Sequence, residues 1–195
     1  MLFRSREKIL VGSPDIRVLG YGDDLRIQPW KQLVDSVRKE QGVVAAAPFV
    51  LTQALMRTSN SNYMEAVSIS GIIPADDSAA MGLVNGAGGA RSAGPVTTIR
   101  QHAVTGDFRF ATSDGKRRGA VLGKLLADRL HVGIGSPLTA MTSAGVSQNP
   151  ITGGYLPRVF ELEVTGTFDT GLYEYDNSYA FIDLDQARDM AGLGS

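Results

Sequence analysis

The stretch Gly166–Met190, GTFDTGLYEYDNSYAFIDLDQARDM, decides how this chain is read. Between two apolar runs it crowds Tyr173, Tyr175 and Tyr179 together with Glu174 and Asp176 into seven residues. Carboxylates and phenols this close are what acid–base chemistry asks for, and Glu174 with Asp176 is a candidate pair for glycoside hydrolysis. A spacing of two within a turn does not fix the separation of the carboxylates, however. The single tryptophan, Trp30, also leaves no set of aromatic platforms for a sugar. The competing reading is structural: strand, polar turn, strand, helix. It predicts Phe168, Phe181 and Ile182 as core positions and Asp183 or Asp185 as the N-cap of the last helix.

Immediately upstream, VFELEVTGTF over 159–168 alternates Phe160, Leu162 and Val164 and predicts a strand. Before it, SAGVSQNPITGGYLPR over 143–158 reads as a long polar loop. Pro150-Ile151-Thr152-Gly153-Gly154-Tyr155-Leu156-Pro157 lies within it, bracketed by proline at both ends. Long loops in compact domains are often functional, and prolines lower the entropy lost on binding. If this loop projects, Ile151, Tyr155 and Leu156 are offered for apolar contact. An ordinary connecting loop satisfies the same pattern.

Further upstream, GAVLGKLLADRLHVGIGSPLTAMT from Gly119 to Thr142 predicts strand, short helix, turn and strand. Leu122, Leu125, Leu126 and Leu130 are expected to form the helix's apolar face. Near the start, IRVLG over 16–20 alternates like a strand, and GYGDD over 20–24 like a turn. Pro29 suits a first helical position, with Trp30, Leu33, Val34 and Val37 along one face and Gly42 ending the helix. Residues 43–58 predict two strand pieces or one bent strand, broken at Pro48. SNSNY over 59–63 reads as a hairpin tip and EAVSISGI over 65–72 as the returning strand, completing a β-α-β-β unit. Residues 75–98 turn rich in Ala, Gly and Ser. The GAGGA at 86–90 lacks the preceding strand and the Lys-Ser/Thr of a phosphate loop, so it reads as a plain loop.

The bulk properties narrow the function classes. With 195 residues, 43% hydrophobic and 20% charged, the chain is long enough for a substantial core. A formal net charge of -1 gives no electrostatic case for nucleic acid, and the basic run Lys116–Arg118 is too short to change that. Having no cysteine excludes thiol catalysis, disulfides and Cys-based zinc sites. It fits an oxidising compartment and a bacterial cytoplasm equally. His102 and His131 are the two histidines, and neither has an acidic partner at ligand spacing, so no metal or cofactor is expected. Neither Ser70 nor Ser136 completes a G-x-S-x-G elbow. Asp23-Asp24 and Asp76-Asp77 sit in turns, where Asp is favoured for local hydrogen bonds. No stretch approaches the roughly 20 apolar residues that span a bilayer. The start, MLFRSREKILVGSP, lacks a signal peptide's apolar region and reads as cut from a longer chain.

Five phrases occur in order: GSPDIRVLG, QPWKQLVDSVRKEQGVVAAAPFV, VSISGIIP, GAVLGKLLADRLHVGIGSPLTAMT and PRVFELEVTGTFDTGLYEYDNSYAFIDLDQA. Together they resemble the periplasmic core domain of MacB/FtsX-type ABC transporter permeases, and most of all the lipoprotein-releasing LolC/LolE group. The resemblance spans the chain apart from roughly 79–105, and LYEYDNSYAFIDLDQA is its most specific part. It implies an α+β module lying between two transmembrane helices. A Porter-like α/β subdomain would comprise 1–73 plus 168–195, incomplete at its C-terminal end. A mostly-β Sabre-like subdomain would be inserted over 74–167, with Tyr173 and Tyr175 bracing the junction.

It further implies a non-enzymatic part of a permease that helps release lipoproteins from the inner membrane and relays them to a periplasmic carrier. ATP hydrolysis would reside in a separate ABC ATPase, and a second permease subunit would complete the membrane part. In LolC-like members a proline-containing hook binds the soluble carrier LolA, and its position matches Pro150–Pro157 here. LolE-like members contact lipoprotein cargo instead. MacB-like efflux and FtsX-like signalling permeases are the neighbouring alternatives, and a small hydrolase using Glu174 and Asp176 is the distant one.

Overall fold

The computed structural model describes residues 16–21, 26–43, 45–58, 63–74, 99–148 and 153–193. Two compact units partition the chain: Met1–Pro48 with Asp76–Ile99, and Phe49–Ala75 with Arg100–Ser195.

The first unit contains helix α1, Trp30–Lys39. Trp30, Leu33, Val34 and Val37 do share a helical face, although no residue of the helix is fully buried. Pro29 is the N-cap, one place earlier than expected. Arg38 and Lys39 stand in the last turn, where cations suit the helix dipole. Arg38 also donates from Nε to the Ala46 carbonyl at 3.0 Å. Gly42 takes φ +91°, in the left-handed region that glycine enters freely. The strand expected over 16–20 is absent: this segment carries no strand pairing, and Ile16, Val18 and Leu19 are exposed. Alternation makes a segment competent to be a strand, but a strand exists only where a neighbour takes up its backbone hydrogen bonds. Residues 45–49 are likewise not strand, so the expected β-α-β-β unit reduces to a helix followed later by two strands.

The second unit is built on one mixed sheet. Its strands are β1 Val50–Thr58, β2 Glu65–Ile72, β3 Ala103–Gly106, β4 Gly119–Gly123, β5 Pro137–Gln148, β6 Tyr155–Phe168 and β7 Tyr179–Asp183. Three short helices accompany them: α2 Lys124–Leu130, α3 Tyr173–Ser178 and α4 Leu184–Met190. The order is β3-β6-β4-β7-β2-β1-β5, and β5 pairs back onto β6, so six strands close into a ring with β3 outside it. β2–β7 and β4–β6 are parallel; the other pairs are antiparallel. The class is α+β. Strands from 1–73, from 74–167 and from 168–195 all enter this one sheet, because ladder hydrogen bonds tie together segments far apart in sequence.

Period-two alternation fills the ring. Met56, Val67, Ile69, Leu122, Leu138, Leu162, Val164 and Ile182 point to a common core, joined by Leu126 and Leu130 of α2 and Met190 of α4. Full burial of such side chains stabilises by about 1.5–3 kcal/mol each. Leu122 thus belongs to β4 rather than to the helix, and α2 buries Leu126, Ala127 and Leu130. Gly71 lets α4 lie on β2: a Cβ there would stand 2.2 Å from the Cβ of Ala187.

A bulge in β6 builds a second core. Val164 faces Ala120 but Gly166 faces Val121, so Thr165 is an extra residue and the strand's faces exchange. Phe168 therefore leaves the ring's interior and meets Phe181 with ring centroids 5.3 Å apart. Phe108 joins them, 5.6 Å from Phe181, with Phe110 edge-on at 6.2 Å. The expected core roles of Phe168, Phe181 and Ile182 are met: all are buried. Asp183 caps α4, its side chain accepting from the N–H of Asp185 at 2.9 Å.

Candidate functional site

β5 and β6 are paired from Pro137 opposite Glu163 to Thr142 opposite Arg158, and again at Ser147 opposite Leu156 and Gln148 opposite Tyr155. Between these two blocks β5 advances five residues while β6 advances two, so the surplus bulges from β5. Pro157 falls in this gap. It has no N–H to give a ladder, and strands accept proline at bulges for that reason. β1 follows β5 only over Leu138–Met141, and β4 joins β6 only from Glu163 onward. Outside those limits the two strands pair only with each other among the described residues. They form an arm whose β6 side, Tyr155–Arg158, extends about 13 Å at the usual strand rise.

Arg158 fixes the base of this arm. Its guanidinium donates to Asp189 of α4, through Nη2 to Oδ1 at 2.7 Å and through Nη1 to the backbone carbonyl at 2.6 Å. The same group lies 5.0 Å from the ring centre of Phe160, which packs against the ring's core. Farther out, Leu156 is 49% exposed, an apolar side chain held in water by a fastened strand; on the ring side of Arg158, Val159 is 58% exposed.

The polar loop expected over 143–158 is therefore largely strand. The Ser, Gly and Ala of SAGVSQ over 143–148 carry no apolar alternation, so the period-two signal is missing. Of the eight candidate residues, Pro150, Ile151 and Thr152 lie outside the described residues. Gly153 and Gly154 are exposed and lead into the strand. Tyr155, Leu156 and Pro157 are the first three residues of β6.

The other candidates separate. The polar turn expected at 173–178 is helix α3, and Glu174 and Asp176 do not form an acid pair. Glu174 is exposed, whereas Asp176 is buried and its Oδ1 accepts from both N–H and Oγ1 of Thr170, at 2.8 Å each. A cleft of about 250 Å³ lined by Arg118, Leu138, Thr139, Glu161 and Glu163 contains neither of them. Tyr175 stacks on Tyr179 at 4.5 Å, and Tyr173 is 71% exposed. His102 lies with Nδ1 3.2 Å from the Asp169 carbonyl, and His131 closes α2 in a left-handed conformation. Among the described residues no group of three or more His, Cys, Asp or Glu is placed to hold a metal. Asp23-Asp24, Asp76-Asp77 and the 86–90 glycines lie outside the described residues.

One polar cluster escaped the sequence reading. Glu65 accepts from the Tyr63 hydroxyl and pairs with Arg129, whose Nη1 also donates to Asn177 at 2.5 Å. Burial pushes the Glu65 carboxyl up, but bonds from Tyr63 and Arg129 outweigh it and hold the group below the ordinary range. The cluster ties β2 to α2 and α3, which gives it a cohesive role. Residues 64 apart in sequence leave no spacing signal.

No known family model matches the chain. Over 170 residues, 87% of its length, it is 29% identical to the lipoprotein-releasing system transmembrane protein LolC of Neisseria meningitidis serogroup B (strain ATCC BAA-335 / MC58). This supports a relationship to LolC/FtsX-like ABC transporter permeases. The chain spans 35% of the length of that relative. Among the described residues no helix is long and apolar enough to cross a membrane.

Proposed function

We propose that this chain is a periplasmic domain of an ABC transporter permease that helps release lipoproteins from the inner membrane and passes them to a soluble carrier. The observation that carries the reading is the 29% identity, over 87% of the chain, to a lipoprotein-releasing LolC protein. The β5–β6 arm adds to it. A ribbon fastened at Arg158 and apolar at Leu156 loses little conformational entropy when a partner docks on it. In this reading Pro150–Pro157 is the carrier-binding tip. The domain does no chemistry of its own. A separate ABC ATPase moves the membrane helices, and the closed ring transmits that motion as a rigid body.

Purification of the full-length protein from host membranes tests this. It is expected to bring down an ABC ATPase and a second permease subunit in fixed ratio, with ATP hydrolysis confined to the ATPase. Recovery as a single component with hydrolytic activity of its own overturns it.

A further inference from the structure

The C-terminal end of α4 is closed by a fixed pattern of hydrogen bonds. Gly192 gives its N–H to the Asp189 carbonyl at 3.0 Å, and Leu193 gives its N–H to the Arg188 carbonyl at 2.9 Å. Gly192 itself has φ +70°, in the left-handed region. Such a crossed pair of bonds over a left-handed glycine is a Schellman turn, which satisfies carbonyls that a helix end otherwise leaves open. Ala187 and Met190, both fully buried, pin the inner side of the same helix end to the core.

The Asp189 carbonyl accepts a second bond from outside the helix. Arg158 Nη1 donates to it at 2.6 Å while Nη2 holds the Asp189 carboxylate at 2.7 Å. A carbonyl oxygen has two lone pairs, and the Gly192 N–H and the guanidinium use both. A cation there also answers the negative end of the helix dipole. Arg158 is in turn the last β6 residue paired before the gap in the ladder: it faces Thr142, and the next pair outward is Leu156 with Ser147. One carbonyl thus joins the turn that ends α4 to the residue at which the arm leaves the ring.

We propose that the Schellman turn of α4 is a switch for the arm. Formed, it presents the Asp189 carbonyl and carboxylate in the arrangement that grips both Nη groups, and the arm is held. Opened, it turns that carbonyl away, the two-pronged contact is lost, and the arm pivots about the bulge opposite Pro157. Linkage makes the effect mutual: whatever steadies the arm also closes the turn. Partly exposed ion pairs carry little energy, so the coupling shifts the opening equilibrium by about two- to fivefold. Control of partner docking by this route rests on the reading of Pro150–Pro157 as the carrier-binding tip. The coupling of turn and arm does not.

The test is residue-resolved amide exchange on the 195-residue chain. Gly192→Ala opens the turn at a residue outside the arm, because alanine is strained at that φ. It is expected to speed exchange in the arm about two- to fivefold, with β7 unchanged. Placed on Arg158→Ala, the same substitution should add nothing to the arm, since the link is already cut. A merely destabilised helix would speed exchange in β7 as well, and would do so with or without Arg158. In the reverse direction, Arg158→Ala should speed exchange at the Gly192 and Leu193 amides by a similar factor. Arg158→Lys keeps the charge without the two-pronged geometry and should recover part of this. The proposal is overturned if Gly192→Ala leaves arm exchange unchanged or acts equally in the Arg158→Ala background. It is equally overturned if Arg158→Ala leaves both amides at the wild-type rate. None of these readouts involves a carrier, so a failure of carrier binding removes the docking role and leaves the coupling standing.

Discussion

Arg158 holds Asp189 twice, through a carboxylate oxygen at 2.7 Å and a backbone carbonyl at 2.6 Å. One side chain thereby ties the free-standing part of β6 to the C-terminal turn of α4. The Arg158 side chain is 32% exposed and that of Asp189 57%, so the ion pair itself is worth little. Loss of the Phe160 contact adds to it, and Arg158→Ala is expected to cost about 1 kcal/mol in urea unfolding. Amide exchange at Leu156–Val159 should accelerate well beyond that in β7. Unchanged exchange in the arm would show that Arg158 does not fasten it.

Asp176 is a structural carboxylate rather than a catalytic one. Asp176→Ala leaves the Thr170 N–H and hydroxyl without their acceptor in a buried position. The expected loss is about 1–3 kcal/mol, against nearly none for the exposed Glu174→Ala. Chemical denaturation of the two variants checks this directly.

Acid pH should weaken the fold in a defined order. Glu65 and Asp114 both titrate below their ordinary values in the folded chain. For Glu65 the bonds from Tyr63 and Arg129 overcome burial; for Asp114 the Thr112 hydroxyl leads, with the Lys116 N–H second. A carboxyl with a depressed folded-state pKa binds its proton more weakly in the folded state than in the unfolded one. Its contribution is present above the unfolded value and is lost as pH falls through the folded one. For Asp114 that window runs from 3.8 down to about 2. Asp183 has the opposite sign: burial raises its pKa, so protonation favours the folded state and stability is gained as pH falls through the raised value. Asp183→Asn keeps an N-cap acceptor and should remove this term. Thermal melts between pH 7 and 2 should show a flatter acid limb for Glu65→Gln, and a steeper one for Asp183→Asn, which lacks the gain that offsets part of the acid loss.

Close packing of α4 on the sheet rests on Gly71. Gly71→Ala places a methyl 2.2 Å from the Ala187 methyl, and neither the strand nor the helix can yield without disturbing the core. A destabilisation of about 1–3 kcal/mol is expected. Gly71→Ala combined with Ala187→Gly should recover part of it, which denaturation of the double variant measures.

Legibility in the sequence followed the physics of each segment. Strands β2, β4 and β6 and helix α4 could be read because one face of each is buried, which imposes alternation or a helical stripe. Phe168 was recognised as core, but not that it belongs to a core separate from Leu162 and Val164. The Thr165 bulge that separates them has no composition signal. The arm was missed as a strand because SAGVSQ over 143–148 carries no apolar alternation. Residues 16–20 failed in the opposite way, with a strand pattern and no neighbour to pair with. The Glu65–Arg129 cluster arises from packing between distant elements, which no single stretch encodes.

Carrier binding by the arm is the most direct measurement. The chain is titrated with a soluble periplasmic lipoprotein carrier, as wild type and as the triple variant Ile151→Ser, Tyr155→Ser and Leu156→Ser, with circular dichroism confirming that both are folded. The expected result is saturable binding by the wild type and at least about tenfold weaker binding by the variant, as loss of apolar anchors at an interface produces. Equal affinity for the two, or no binding by either, would contradict the account.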